Sequence, residues 1–536
     1  MRLVVSLLAA IAMATTVNAA GLAPTDKDRT ALHWAAQEIE IAHVLDTLKS
    51  RAHAGTTVIS DVSVVDVVNS ASTRHQTVIV RDGKIAWIGN AADAPQEPGA
   101  FMVDGTGRYL APGLTDMHVH TVSLQEQVLR LAVGNTSVRD MDGFPWMLEL
   151  RRAIQSGRLL APNAYIAGTI ITSTPLGGYS VVVKTEAEAR ETVRKQAACG
   201  YDFIKVHNIL GLALFDAVAD ETRRVGMDLV GHIPHNITID HAIHSGGMRT
   251  LEHLKGFITD NNLIVSDEDY ATAVAGAKFW QTPTFYTDYN FRAMANKDAL
   301  LQKPEMKYVP LRRRNAWAAL QMTDKDKKLE GLLDVATPAA MKRLLPLHQH
   351  WLAGTDAANY PTQVPGFALL DELDLMEDAG ITRADTIRGA TSEPAAAMRQ
   401  SEVFGQVRRG MRADLVLLDA DPMQVRHAYR NNHGVMLRGM WLARSDLDAA
   451  LAQLAAIEAE PDASYAVNAK SIRATEAAAM ALARDHIVFD QRRMTPFSTA
   501  LRDLGHADMS ANIDRVMASF AQGACAEITP TGGDGD

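Results

Sequence analysis

The sequence predicts an α/β protein built around a (β/α)8 barrel, the TIM barrel, with β-rich and helical segments attached. Three observations predict it. From 111 to 401, strand-like apolar runs alternate with helical stretches. β-rich runs flank that region on both sides. Histidine, lysine and aspartate recur where those runs end, the face on which such barrels carry their sites.

The elements follow in order. Residues 1–19 open with "MRLVVSLLAAIAMATTVNA", a short positive start, an apolar run and small residues at the end. That pattern predicts a signal peptide, and with it an exported, periplasmic or secreted protein. Residues 20–55 form an N-terminal helical segment, with apolar residues at helical spacing. The period then changes. "TTVISDVSVVDVV" and "QTVIVRDGKIAWIGN" are β-rich, the second broken by Asp82-Gly83, a strong hairpin signal. "GQVRRGMRADLVLLDADP" returns to β character after the barrel, so 56–110 and 402–445 are expected to form one composite β-domain. Residues 446–520 are an Ala-rich helical extension, and 521–536 have the composition of a flexible tail.

Within 111–401 the expected strands are "LTDMHVH", "TSVRDMD", "AYIAGTII", "DFIKVHN", "DLVGHI", "RTLEHL", "KFWQTPT" and "WLAGTDA". Gly200 and Gly226 suit the ends of two intervening helices. The connection from 285 to 350 is long and helical in pattern.

The net charge of −10 argues against nucleic acid as a partner. No run beyond the N-terminus approaches the ~20 apolar residues of a membrane span. The two cysteines, Cys199 and Cys525, do not make a disulfide scaffold, and their spacing leaves pairing open.

His118 and His120 stand two apart at the end of the first strand, so both rings project to one face. Lys205 ends strand four, His232 strand five, His253 strand six and Asp356 strand eight. Any one alone reads as an ordinary buried or solvated residue. Together they place four imidazoles, a carboxylate and an amine at one mouth. An ammonium repels cations, so Lys205 joins such a set only as a neutral amine, which can add carbon dioxide to become an anionic carbamate. Imidazole and carboxylate donors suit zinc, with manganese, cobalt and iron also compatible.

The motifs "PGLTDMHVH", "GNTSVRDM", "GYDFIKVH", "GHIPH", "LEHL", "AGTDA" and "ATSEPAAAM" give the chain a resemblance to the amidohydrolase superfamily. They resemble in particular its imidazolonepropionase-like and Xaa-Pro-dipeptidase-like branch. The resemblance implies a distorted TIM barrel, a composite β-sandwich domain and two divalent metal ions. His118, His120 and Asp356 match one metal's ligands, and His232 and His253 the other's. Lys205 matches a carboxylated bridging lysine. Asp356 then carries the catalytic proton, taking it from a metal-bridging hydroxide and passing it to the leaving amine. "GGYS" departs from the "GGH" common in that branch and makes Tyr179 a candidate substrate contact.

Tyr179, His207, His235, Tyr286 and Tyr289 lie on loops expected to border the pocket, as do the apolar stretches "GLALF" and "STPLGG". Arg139 and Asp140 are expected to be an internal ion pair or a support behind the ligands. "HQH" at 348–350 falls at the opposite end of strand eight and reads as structural. The expectation is a hydrolase for a linear amide, such as a dipeptide or an N-acyl amino acid. Alternatives are a cyclic amide (imidazolone or lactam) or lactone hydrolase, a single-metal deaminase, and a metal-free binding or assembly protein. The C-terminal helices are candidates for homo-oligomer contacts.

Overall fold

The computed structural model describes residues 25–121, 123–176, 180–254, 257, 274, 277–294, 297–347, 350–357, 361–461, 469–484, 491–504 and 506–519. The signal peptide, Tyr179, His348, Cys525 and the expected flexible tail lie outside them. Cys199 is disulfide-bonded.

The helix Asp26–Arg51 opens the described chain. Its start is set by Thr25, whose side chain accepts from the Asp28 N–H while Asp28 accepts from the Thr25 N–H. Leu32, Ile41, Leu45 and Leu48 are buried. The helix packs on the helices Arg444–Glu458 and Gln491–Asp503. The helices Ala469–Arg484 and Ala507–Ser519 complete the C-terminal part.

Five strands follow: β1 Thr57–Asp66, β2 Ala71–Arg81, β3 Lys84–Asn90, β4 Phe101–Asp104 and β5 Tyr109–Pro112. The β2–β3 turn is the one that Asp82-Gly83 predicts. Both residues are left-handed, with φ of 50° and 74°, which matches the twist of a two-residue hairpin. Parallel strands come next: β6 Leu114–Val119, β7 Asn135–Asp140, β8 Asn163–Ile166, β9 Ile170–Thr172, β10 Ser180–Val182, β11 Phe203–Val206, β12 Asp228–Gly231, β13 Met248–Glu252 and β14 Trp280–Thr282. The chain closes its β-structure with β15 Leu415–Leu418, β16 Asn432–Leu437 and β17 Met440–Ala443.

The N- and C-terminal β segments pair in one sheet. β5 pairs antiparallel with β15, Leu110 facing Leu417. Their arrangement differs from the expected sandwich: the described strands form one eight-stranded sheet in the order β17-β16-β15-β5-β1-β2-β3, with β4 also on β1. The physical reason lies in β1. One edge holds β2 along its length, and the other holds β4 on its first half and β5 on its second. Register shifts between Ile59 and Val64 bend it. A single bent strand thus serves both halves.

The barrel region also departs from eight regular strands. Parallel sheets of three strands (β6-β7-β8) and six strands (β10-β9-β11-β12-β13-β14) are joined by single bridges at Ala167–Phe203, Gln281–Trp351 and Val119–Ala357. No closed eight-stranded barrel forms among the described residues. The run "WLAGTDA" makes bridges but no regular strand, because Asp356 turns left-handed with φ of 57°. "AYIAGTII" splits into β8 and β9 at Gly168, where a Cβ would strike Gln196. The helices Phe285–Ala293, Lys297–Leu301, Leu311–Ala319 and Asp324–Leu344 fill the long connection.

Candidate metal centre

Every strand end singled out above delivers its side chain to one place. His118 is on β6 and His120 follows it. His120 Nε2 lies 3.0 Å from Asp356 Oδ1, and His118 Nε2 lies 3.5 Å from the same oxygen. Lys205 Nζ, on β11, is 3.3 Å from His118 Nε2. The His253 ring centroid is 4.5 Å from that of His118 and 4.7 Å from that of His232. The six residues are therefore continuous. Ligand atoms of His118, His253 and Asp356 all lie within 4.8 Å of one another, a spacing that could hold a cation. His253, matched above to the other metal's set, thus stands between the two groups.

The backbone is unusual here. His253, Leu254, Thr284 and Asp356 are all left-handed, with φ between 52° and 59°. Such conformations are costly for residues with a Cβ, most of all for a β-branched one, and cluster where function over-determines geometry.

Electrostatics follow from burial. Lys205 is 1% exposed. Burial lowers its pKa, and the Arg139 charge acts the same way, against Glu252, Asp356 and Asp142. The neutral amine is thereby favoured. Burial, then the Lys205 charge, pushes the His118 imidazolium down to about 4, so the ring is a neutral donor at physiological pH. Burial alone would raise the Asp356 carboxyl, but His253, His120 and His118 hold it below the ordinary carboxylate range.

The candidate substrate contacts divide. The His207 ring lies 4.2 Å from His232, at the edge of the cluster. His235 joins the same rim: its N–H donates to Asn208 O at 2.8 Å, and Asn208 Nδ2 donates to its Nε2 at 2.9 Å. Tyr286 and Tyr289 are not on loops: both lie in the helix Phe285–Ala293. Tyr286, its second residue, is 1% exposed and packs with Ala357 and Ala368. Its ring centroid is 6.3 Å from that of Tyr289, and Lys303 Nζ is 5.4 Å and 5.6 Å from the two rings. His350 of the "HQH" run pairs with Glu393.

Sequence reasoning missed Glu252, although it sits beside His253 in "LEHL". Its signal was a carboxylate at the end of a strand, directly before a histidine. Arg139 pairs with Glu252 at 2.8 Å rather than with Asp140, which instead accepts the N–H groups of Thr121 and Asp142.

Comparisons with known proteins bear on this centre. The chain is 25% identical over 397 residues to an adenine deaminase of Rubrobacter xylanophilus, covering 69% of this chain and 55% of that protein. It is 26% identical over 410 residues to an imidazolonepropionase of Streptomyces griseus, covering 72% of this chain and 95% of that protein. Among solved structures, bottromycin amidohydrolase superposes with a TM-score of 0.64 at 23% identity, covering 80% of this chain and 95% of its own. A prolidase structure from Bifidobacterium longum gives 0.57 at 20% identity, with 75% and 99% covered. These likenesses place the fold among TIM-barrel-type amidohydrolases. The model of the Amidohydrolase family matches residues 109–442, more than half the sequence, and the chain belongs to that family.

Proposed function

We propose that this chain is an exported, binuclear metal-dependent hydrolase that cleaves a linear amide bond, in a dipeptide or an N-acyl amino acid. One observation carries the reading: His118, His120, Lys205, His232, His253 and Asp356 converge at one buried mouth, with Lys205 favoured as its neutral amine. The donor set fits two divalent cations, zinc foremost: His118, His120, His232, His253 and Asp356 would hold them, and a carboxylated Lys205 would add an anionic donor. Such cations would supply Lewis acidity toward water and the scissile carbonyl.

The chain's own residues do the rest. Asp356, held ionised, accepts the proton of the attacking water and returns it to the leaving amine. His207 and His235 border the position a substrate would take. Ile209, 36% exposed on the loop after β11, and Leu212, 50% exposed at the start of the helix Leu212–Arg224, offer apolar surface just after His207 in the chain. Exposed apolar groups at a site rim suit an apolar acyl or aromatic side chain. In this reading the two parallel sheets act together as one distorted barrel.

Export is supported by the N-terminal pattern and by the disulfide at Cys199, which suits an oxidising compartment. Among the described residues no helix is long and apolar enough to cross a membrane.

A second reading, hydrolysis of a cyclic amide, is favoured by the likeness to imidazolonepropionase. A hydrolysis screen over N-acyl amino acids, dipeptides, lactams and lactones separates the two. The expected result is turnover of linear amides, abolished by chelation and restored by zinc. Turnover confined to lactams or lactones installs the second reading, and chelator-insensitive turnover rejects both.

A further inference from the structure

We infer that Glu252, locked in place by Arg139, is a positioning residue that fixes the His118 imidazole with its Nε2 lone pair toward the metal centre. The inference rests on the metal-centre reading above and deepens it.

Glu252 is fully buried on β13. Its Oε2 lies 2.9 Å from His118 Nδ1. Its Oε1 accepts from Arg139 Nη2 at 2.8 Å and from Thr250 Oγ1 at 2.6 Å. Arg139, 0% exposed, has little freedom to leave. Its Nε donates to Met117 O at 2.7 Å, its Nη1 donates to Thr250 Oγ1 at 2.7 Å, and its Nη2 also reaches Thr282 Oγ1 at 3.4 Å. One guanidinium thus ties β6, β13 and β14 together from β7.

An ionised carboxylate can only accept. The proton between Glu252 and His118 therefore sits on Nδ1. Nε2 is left with its lone pair, and it is Nε2 that faces Lys205 and Asp356. A buried carboxylate without a cation would be costly, which is what Arg139 offsets. Partners of this kind set the tautomer and basicity of ligating histidines, and losing one costs about 10- to 100-fold in metal affinity.

The test uses the full chain with zinc as the probe. The apo wild type is examined by imidazole ¹⁵N NMR, and zinc affinity is measured by competition with a chromophoric chelator for wild type and Glu252→Gln. The expected results are an Nδ1–H tautomer at His118 in the wild type and zinc binding weakened about 10- to 100-fold in the variant. Arg139→Lys should weaken binding in the same direction. An Nε2–H tautomer at His118 in the wild type overturns the inference without any mutation. So does zinc bound equally by wild type and Glu252→Gln. A wild type that binds no zinc overturns the metal-centre reading itself, a separate outcome.

Discussion

Two interiors of this molecule are equally dry and chemically opposite. In the eight-stranded sheet, Ile59, Val62, Val78, Val80, Ile85, Leu415, Leu417 and Met436 are buried together with apolar neighbours. At the mouth of the parallel sheets, His118, Arg139, Lys205, Glu252 and Asp356 are buried just as deeply. The first arrangement follows from area removed from water. The second costs desolvation at every group and survives only because each has a partner. Stability is therefore to be sought in the first interior and chemistry in the second. A variant in the sheet should change folding alone, and one at the mouth should change the reaction or the metal.

The largest expected effect is at the mouth. Asp356→Asn should lower kcat by about 100- to 10,000-fold while much of the bound metal remains. Steady-state kinetics beside metal analysis checks this, and near-normal turnover at full metal occupancy removes the assigned role. Next comes the sheet. Leu417→Ala should cost about 2–5 kcal/mol of stability in denaturant titration. Its kcat and KM should match wild type at a temperature where both are folded. A kinetic defect there would break the division between the two interiors. The smallest effect sharpens it within the mouth itself. His253 Nδ1 lies 2.7 Å from Thr284 Oγ1, whose single proton goes to Pro283 O, so the hydroxyl accepts from Nδ1–H. Thr284→Val removes a neutral partner where Glu252 is a charged one. It should weaken zinc binding by about tenfold, near the low end for such partners. A larger loss than that of Glu252→Gln would reverse the ranking.

How much of this could be read in the sequence depended on how local its cause was. The Asp82-Gly83 hairpin and the left-handed Gly200 at the end of the helix Glu186–Cys199 are set by neighbouring residues, and both were legible. So was the meeting of the six side chains, since period-two geometry and the βα alternation bring the ends of successive strands to one face. What stayed hidden depends on contacts far apart in the chain. β5 joins β15 across some three hundred residues, so one continuous sheet could not be told from a sandwich. "WLAGTDA" looks like a strand. Yet Gly354 packs so closely on His118 and Thr282 that the run is shaped by its neighbours instead of by its own propensity. Arg139 and Glu252 meet across 113 positions, and only the folded arrangement reveals that the arginine serves a histidine's partner. Tyr286 read as a loop residue because aromatic loop residues border pockets, whereas its helix buries it against Ala357.

We propose that six side chains from five stretches of the chain hold metal at one mouth, and elemental analysis of the purified chain checks it. The expected result is two equivalents of divalent metal per chain, loss of hydrolysis when a chelator strips them, and recovery when zinc is returned. A chain purified with no bound metal, still fully active after chelation, would contradict it.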